Sequence, residues 1–292
     1  MHSVRRCLFP VAGLGTRFLP VTKEIAKEML PLVDRPIISY GVEEALASGC
    51  PDIVMITGRA KRSIEDYFDR SFELEHLLRS RGQTELLAKT VAISDMAEIL
   101  YVRQREPLGL GHAVLCGEPF CRDSCFGVIL PDDVFVGEPP VMAQLIEVHE
   151  RLGGSVVALE RVPCEDVSRY GIVRSEELGD GLHRILDMVE KPSRAEAPSR
   201  YAIMGRYVLS PSIFPILMEQ RAGAGGEIQL TDALRALAAR EPVWGVEYRG
   251  RRFDCGTRRG WLEANVRLAL DDPELRSVVL DAVREEQARE AR

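Results

Sequence analysis

Cys7-Leu8-Phe9-Pro10-Val11-Ala12-Gly13-Leu14-Gly15-Thr16-Arg17 is the stretch from which the fold is read. Its apolar first half predicts a buried strand. Its second half breaks that run with two glycines around one leucine, then a hydroxyl and a guanidinium. Glycines let backbone N–H groups turn toward an anion and let the main chain approach it closely. Thr16 and Arg17 add a hydroxyl and a permanently charged fork suited to phosphate oxygens. The stretch reads as a phosphate cradle at the carboxyl end of the first strand.

Outward from it, Pro36 to Gly49 predicts a helix, with proline in its first turn and glycine at its end. Asp52 to Thr57 (DIVMIT) then predicts a buried strand. Strand, glycine loop, helix and strand make a βαβ unit with parallel strands, and a loop at their carboxyl end lies where open α/β sheets bind ligands. Residues 61–93 read as helical, anchored by Ile64, Tyr67, Phe68, Phe72, Leu74, Leu77 and Leu78. Glu98 to Arg103 is the next strand, followed by a second glycine-rich turn, Gln104 to Ala113, and a helix over 111–117. Phe126 to Leu130 is a strand ending in Pro131-Asp132-Asp133, followed by a helix over 140–152 and a strand over 155–160.

Beyond residue 160 the texture changes. Tyr170 to Val173 and Leu182 to Val189 read as antiparallel strands joined by an acidic, glycine-bearing turn. Tyr201 to Leu209 is a further strand, 227–239 a helix, and Val243 to Tyr248 a late edge strand. The corner Phe253-Asp254-Cys255-Gly256-Thr257 opens a helix over 259–270. The expected architecture is α/β and Rossmann-like: a mixed, mainly parallel central sheet flanked by helices, with a smaller antiparallel portion. Residues 1–270 form one domain, and 271–292 form a C-terminal helical tail. Leu275, Val278, Val279, Ala282 and Val283 give that tail a narrow apolar stripe, to pack on its own domain or on a second subunit.

Composition bounds the function. A chain of 292 residues that is 46% hydrophobic and 28% charged has the make-up of a globular protein, not a disordered one. A formal charge of −7 and a pI near 5.5 give no support to broad nucleic-acid binding, yet leave room for a locally basic pocket. No apolar run approaches the roughly 18 residues of a membrane span. Arg5-Arg6 before the first strand superficially resembles an export signal, but the run passes straight into Gly15-Thr16-Arg17 without a small-residue cleavage site. The seven cysteines form no CxxC pair and precede no histidine box, so they read as thiols of a reducing cytoplasm rather than zinc ligands.

Two common phosphate loops are excluded. The dinucleotide fingerprint needs a third glycine where Phe18 stands, and a Walker A loop also needs glycine at that position. Three further features carry chemistry with alternatives open. Lys27 is a second phosphate contact or a solvated lysine. Asp132 and Asp133 suit a hard cation such as Mg²⁺, which one or two carboxylates hold together with substrate phosphates, or else form an acidic turn. Glu190-Lys191-Pro192 exposes a carboxylate and an amine, or is a surface turn.

Taken together the motifs are specific. Pro10 to Arg17, Lys27-Glu28-Met29-Leu30-Pro31-Leu32-Val33-Asp34, Gly109 to Cys116, Glu190-Lys191-Pro192, Gly205 to Leu209 and Glu227 to Ala233 occur in family order. The chain thereby resembles the sugar-1-phosphate nucleotidylyltransferases, more closely the bacterial UTP–glucose-1-phosphate uridylyltransferases, from residue 4 to 270; the tail lies outside the resemblance. Ala26 stands where that family commonly has proline, Arg200 where it has asparagine, and Gly226 where it has an acid. The Arg200 difference puts one sugar-side contact in doubt.

The resemblance implies a reaction and a cast. UTP and α-D-glucose 1-phosphate would give UDP-glucose and pyrophosphate by in-line attack, assisted by Mg²⁺. Gly13, Leu14, Gly15 and Thr16 would hold the triphosphate, with Arg17 on the departing pyrophosphate and Lys27 on the α-phosphate. Asp132 would be the first metal ligand and Asp254 the second, with Asp133 in support. Gln104, with backbone at Ala12, Gly13 and Gly109, would read the uracil edge. Glu190 would accept from glucose hydroxyls, Lys191 would neutralise the sugar phosphate, and Gly171 would let backbone approach the sugar in the antiparallel portion. His112 reads as structural, since the attacking phosphate is already anionic. A homo-oligomer, dimer or tetramer, is implied, with no nucleic-acid or membrane partner. A glucose-1-phosphate thymidylyltransferase and a non-catalytic nucleotide-sugar-binding relative are the competing readings.

Overall fold

Strand Arg6–Pro10 lies between Asp52–Thr57 and Phe126–Ile129, parallel to both. The computed structural model describes residues 4–221, 223 and 226–290; the ends of the expected domain and tail, residues 1–3 and 291–292, lie outside them. Side chains alternate across the first strand: Cys7 and Phe9 pack into the core on one face, Leu8 into the core on the other. Asp52–Thr57 repeats the alternation, with Ile53 and Met55 on the first face and Val54 and Ile56 on the second. Burial on both faces is what a parallel sheet under helices requires, and it explains the nearly continuous apolar runs.

Nine strands join the main sheet, in the order Glu98–Arg103, Asp52–Thr57, Arg6–Pro10, Phe126–Ile129, Tyr201–Leu209, Ser155–Arg161, Val243–Glu247, Leu182–Glu190 and Gly171–Gly179. The first four strands are mutually parallel. Tyr201–Leu209 then enters antiparallel to both of its neighbours. Across the sheet, four neighbouring pairings are parallel and four antiparallel, so it is mixed rather than mainly parallel. The antiparallel strands continue the same sheet instead of forming a separate portion.

Val243–Glu247 is not an edge strand. It runs parallel to Ser155–Arg161 on one side and antiparallel to Leu182–Glu190 on the other. The expected helix over 61–93 is three helices, Arg62–Phe68, Phe72–Ser80 and Thr84–Asp95. Ile64, Phe68 and Leu78 are buried as expected, whereas Phe72, Leu74 and Leu77 are exposed because their helix turns that side outward.

Helix Ile37–Ala47 crosses the first strand at Gly41, where a Cβ would come within 3.0 Å of the Phe9 ring. A two-stranded ribbon lies beside the main sheet and pairs Asp133–Val136 with Arg251–Asp254 antiparallel. Phe18, Leu32, Val134, Phe253, Cys255 and Ala264 form a third apolar cluster that fastens the ribbon to the segment after the glycine loop. The tail helix Pro273–Glu290 follows Arg258–Asp271, and Asp272 Oδ1 accepts from the N–H groups of Glu274 and Leu275 at its start. None of its described residues is buried, and Val278 and Val283 of the expected stripe stand exposed. Among the described residues, no helix is long and apolar enough to cross a membrane.

Candidate active site

The glycine loop closes over Lys27. Gly15 adopts φ +66°, a left-handed conformation that favours glycine, and its carbonyl accepts from Thr22 Oγ1 at 2.7 Å. A Cβ on Gly15 would lie 3.2 Å from Lys27 Cβ and 3.3 Å from Thr22 Cβ, so loop and lysine are packed as one unit. Ala12, Gly13, Leu14, Gly15, Thr16, Lys27, Gln104, Gly109 and Asp132 line a single cavity of about 420 Å³. Arg17 is not among the lining residues; its Nη1 lies 3.5 Å from Gly256 O.

Lys27 Nζ lies 2.5 Å from Asp132 Oδ2. Burial disfavours the ammonium, but the Asp132 and Glu28 carboxylates outweigh that cost and hold the lysine above its ordinary range. Burial likewise opposes ionisation of Asp132, and the Lys27 charge and hydrogen bond override it, so the carboxyl sits below its ordinary value. Both groups are therefore ionised at neutral pH. Behind Lys27, the Glu28 carboxylate takes a 2.7 Å bond from Lys61 Nζ, both side chains almost fully buried.

The ribbon delivers the second carboxylate. Asp254 is paired with Asp133, and Cys255 N–H donates to Asp132 O at 2.7 Å, so residues more than a hundred positions apart share one corner. A Cβ on Gly256 would sit 2.9 Å from Asp132 Oδ2 and 3.2 Å from Asp254 Oδ1. Two carboxylates thus converge on a space that only glycine leaves open. Among the described residues, no group of three or more His, Cys, Asp or Glu gathers as a metal cage. Two carboxylates with room for phosphate oxygens suit Mg²⁺, which keeps most of its shell for water and substrate. The same negative cluster, after burial itself, pushes the Cys255 thiol up to about 12. Asp133 is committed elsewhere: Oδ2 accepts from Gly205 N–H at 3.1 Å and Oδ1 from Arg252 Nε at 2.8 Å.

A second cavity, of about 170 Å³, adjoins the first; Leu110 and Leu130 line both. Gly171, Glu190 and Lys191 all open onto it. Lys191 takes φ +45°, and its backbone N–H donates to Tyr170 O. Its ammonium lies 3.3 Å from Glu190 Oε1, while Glu190 Oε2 accepts from Thr231 Oγ1 at 2.6 Å. Gly171 makes that arrangement possible, since a Cβ there would lie 2.8 Å from Thr231 Oγ1 and 3.3 Å from Glu190 Oε2. Burial, then the charges of Glu190 and Asp133, raise the Tyr207 phenol, so the hydroxyl lining this cavity stays protonated.

Gln104 is more constrained than its sequence position implies. Its Nε2 lies 3.2 Å from Gly109 O and 2.9 Å from His112 Nδ1. With its nitrogen engaged twice, the carboxamide offers its oxygen as acceptor, and His112 is the side chain that orients it. Two further side chains join the site: Thr231, which stands in the motif Glu227 to Ala233 without a role assigned to it, bonds Glu190, and Arg169, which lies in no motif, bonds Asp254.

Known proteins share this arrangement of chain. The UTP–glucose-1-phosphate uridylyltransferase YngB of Bacillus subtilis (strain 168) is 52% identical over 278 residues, which cover 95% of this chain and 94% of that one. Such coverage reaches past residue 271 into the tail helix, further than the motifs imply. A solved UDP-glucose pyrophosphorylase complexed with UDP-glucose is similar with a TM-score of 0.84 at 45% identity, covering 92% of this chain and 100% of that chain. The UTP-bound UGPase from Acinetobacter baumannii reaches 0.88 at 38% identity, covering 97% and 99%. The family model described as nucleotidyl transferase matches residues 11–270, nearly the whole of the sheet and both cavities, and the chain belongs to that family.

Proposed function

We propose that the chain transfers a uridylyl group from UTP to α-D-glucose 1-phosphate, giving UDP-glucose and pyrophosphate. The observation that carries this reading is the pair of adjoining cavities: one lined by the glycine loop, Lys27 and Asp132, the other by Glu190 and Lys191. Two anionic substrates need two such pockets sharing a wall, and relatives named for this reaction support the choice of substrates.

In the reaction an oxygen of the sugar phosphate bonds to the α-phosphorus of UTP. The bond from that phosphorus to the β-phosphate oxygen breaks, and its electron pair leaves with pyrophosphate. No covalent enzyme intermediate is needed, so the protein's work is positioning and charge neutralisation. Gly13 to Thr16 cradle the triphosphate, and Arg17, next in the chain, meets the departing pyrophosphate. Lys27 holds its proton and offers positive charge at the α-phosphate. The Gln104 oxygen accepts from the uracil imide N–H. Glu190 orients the sugar through its hydroxyls, and Lys191 faces the sugar phosphate. Asp132 and Asp254 would hold Mg²⁺, which when bound supplies charge neutralisation on the phosphates.

Pyrophosphate release measured across UTP, dTTP, CTP, ATP and GTP tests the base: UTP should lead, and a clear preference for dTTP would sink the assignment. Residues 1–270 then form the catalytic domain, and the exposed apolar residues of the tail serve self-association in the cytoplasm. Light scattering of a chain truncated after Leu270 should show a smaller assembly; an unchanged mass dismisses the tail from that role.

A further inference from the structure

Arg169 carries a charge for which the proposed reaction has so far no use. It ends the short helical turn Cys164–Arg169, just before Gly171, and its side chain remains partly exposed. One Nη donates to Asp254 Oδ2, the other lies 3.4 Å from Asp166 Oδ1, and the guanidinium sits 5.3 Å from the centre of the Tyr170 ring. Asp254 Oδ1 is meanwhile held by Gly256 N–H at 3.1 Å. Arg169 therefore occupies the carboxylate oxygen left for the proposed divalent ion, just as Lys27 occupies Asp132.

The same arginine lines the second cavity. Among the described residues lining that cavity, Arg169 and Lys191 are the cations, set against Asp133 and Glu190. Asp133 is neutralised by Arg252, and Glu190 draws the Lys191 ammonium to 3.3 Å. A sugar phosphate carries up to two negative charges, and Lys191, shared with Glu190, answers only part of them. A guanidinium presents a planar fork that matches phosphate oxygens two at a time. A long, partly exposed side chain can rotate between two anions at small cost, because water screens it throughout.

We infer that Arg169 is a second contact for the sugar phosphate, held on Asp254 until a divalent ion takes that carboxylate and released to the phosphate when it does. This rests on the uridylyl-transfer reading of the site. It makes metal occupancy at Asp254 a condition for full positive charge in the sugar cavity, and so couples the two pockets through one side chain.

Calorimetric titration of UDP-glucose and of UTP, each with saturating Mg²⁺, tests the contact on the wild type, Arg169→Gln and Arg169→Lys. The glutamine variant should bind UDP-glucose at least about tenfold more weakly while UTP affinity stays within twofold, and lysine should restore part of the loss. Equal loss for both ligands, or loss for neither, overturns the contact. Mn²⁺ binding to the nucleotide-free protein, followed by electron paramagnetic resonance, tests the release. Arg169→Gln should bind Mn²⁺ several-fold more tightly than the wild type, because Asp254 is freed; unchanged affinity overturns the exchange. A wild-type chain that binds neither UTP nor UDP-glucose overturns the reading of the site itself, an outcome distinct from either failure of the variant.

Discussion

The Arg206 guanidinium and the Glu44 carboxylate meet in the protein interior at 2.6–3.0 Å, with Arg206 wholly inaccessible to solvent. Arg206 Nη1 also donates to Leu130 O at 3.1 Å and Gly205 O at 2.9 Å, and Glu44 Oε1 accepts from Met142 N–H. The pair thus ties helix Ile37–Ala47 to Leu130, the residue after strand Phe126–Ile129 and two before Asp132. Replacing Arg206 by Met should destabilise the fold by about 3–5 kcal/mol, because it leaves a buried carboxylate unpaired. Urea unfolding measures this. The double variant Arg206→Met/Glu44→Leu should recover part of the loss, and a double variant as weak as the sum of the singles would contradict the account.

Asp132→Asn should lower turnover by two orders of magnitude or more, roughly the scale of losing a key electrostatic group in a preorganised site. The far-ultraviolet circular dichroism should stay unchanged, since the side chain bonds to Lys27 and not to the sheet. Substantial retained turnover would remove Asp132 from the metal role.

The Lys27–Asp132 pair makes stability depend on pH in a definite direction. Asp132 is depressed by Lys27, so its contribution is present above the ordinary carboxyl value of 3.8 and fades as pH falls through the folded value below that. Lys27 is raised, so its contribution is full below the ordinary lysine value of 10.5 and fades only as pH rises through a higher folded value. Unfolding free energies from pH 2 to 8 should fall on acidification less steeply in Lys27→Met than in the wild type. Parallel curves would show that the pair does not shift Asp132.

Gly256→Ala places a methyl group between the two converging carboxylates, 2.9 Å from one oxygen and 3.2 Å from the other. Activity should fall at least about tenfold, with the Mg²⁺ concentration for half-maximal rate rising. An alanine variant with wild-type Mg²⁺ dependence would mean that the ion sits elsewhere.

The parallel half of the sheet was legible because a strand buried on both faces writes itself as an apolar run: RCLFP, DIVMIT and FGVI stand in the sequence as they stand in the fold. The strand order was not. Val243–Glu247 looks like an edge strand because only part of it is deeply buried, and its second neighbour, Leu182–Glu190, lies sixty residues away. Phe72, Leu74 and Leu77 misled for a related reason, since periodicity shows that a face is apolar without showing what it meets. At the site, the site residues named from the resemblance line the two cavities, except Arg17 and Asp254, which are in neither lining. Their partners are not legible in the sequence: Thr231 stands inside the motif Glu227 to Ala233 with no local cue to its role, and Thr231, Arg169, Arg252 and Gly256 act through residues 41 to 124 positions away.

The ribbon that sets Asp254 against Asp133 also dictates when the site comes into being. Chains leave the ribosome amino end first, and early segments begin to fold while later ones are still being made. Once residue 200 has been added, the nascent chain holds the glycine loop, Lys27 and Asp132, but Glu227, which also lines their cavity, and Ile228, which bonds to Leu108 and Gly111, are still to come. It lacks the strand Tyr201–Leu209 that bridges the two halves of the sheet, and it lacks Arg251–Asp254 altogether. The second carboxylate, Asp254, is made more than a hundred residues after Asp132, so an unfinished chain carries the glycine loop, Lys27 and the first carboxylate well before it carries the pair.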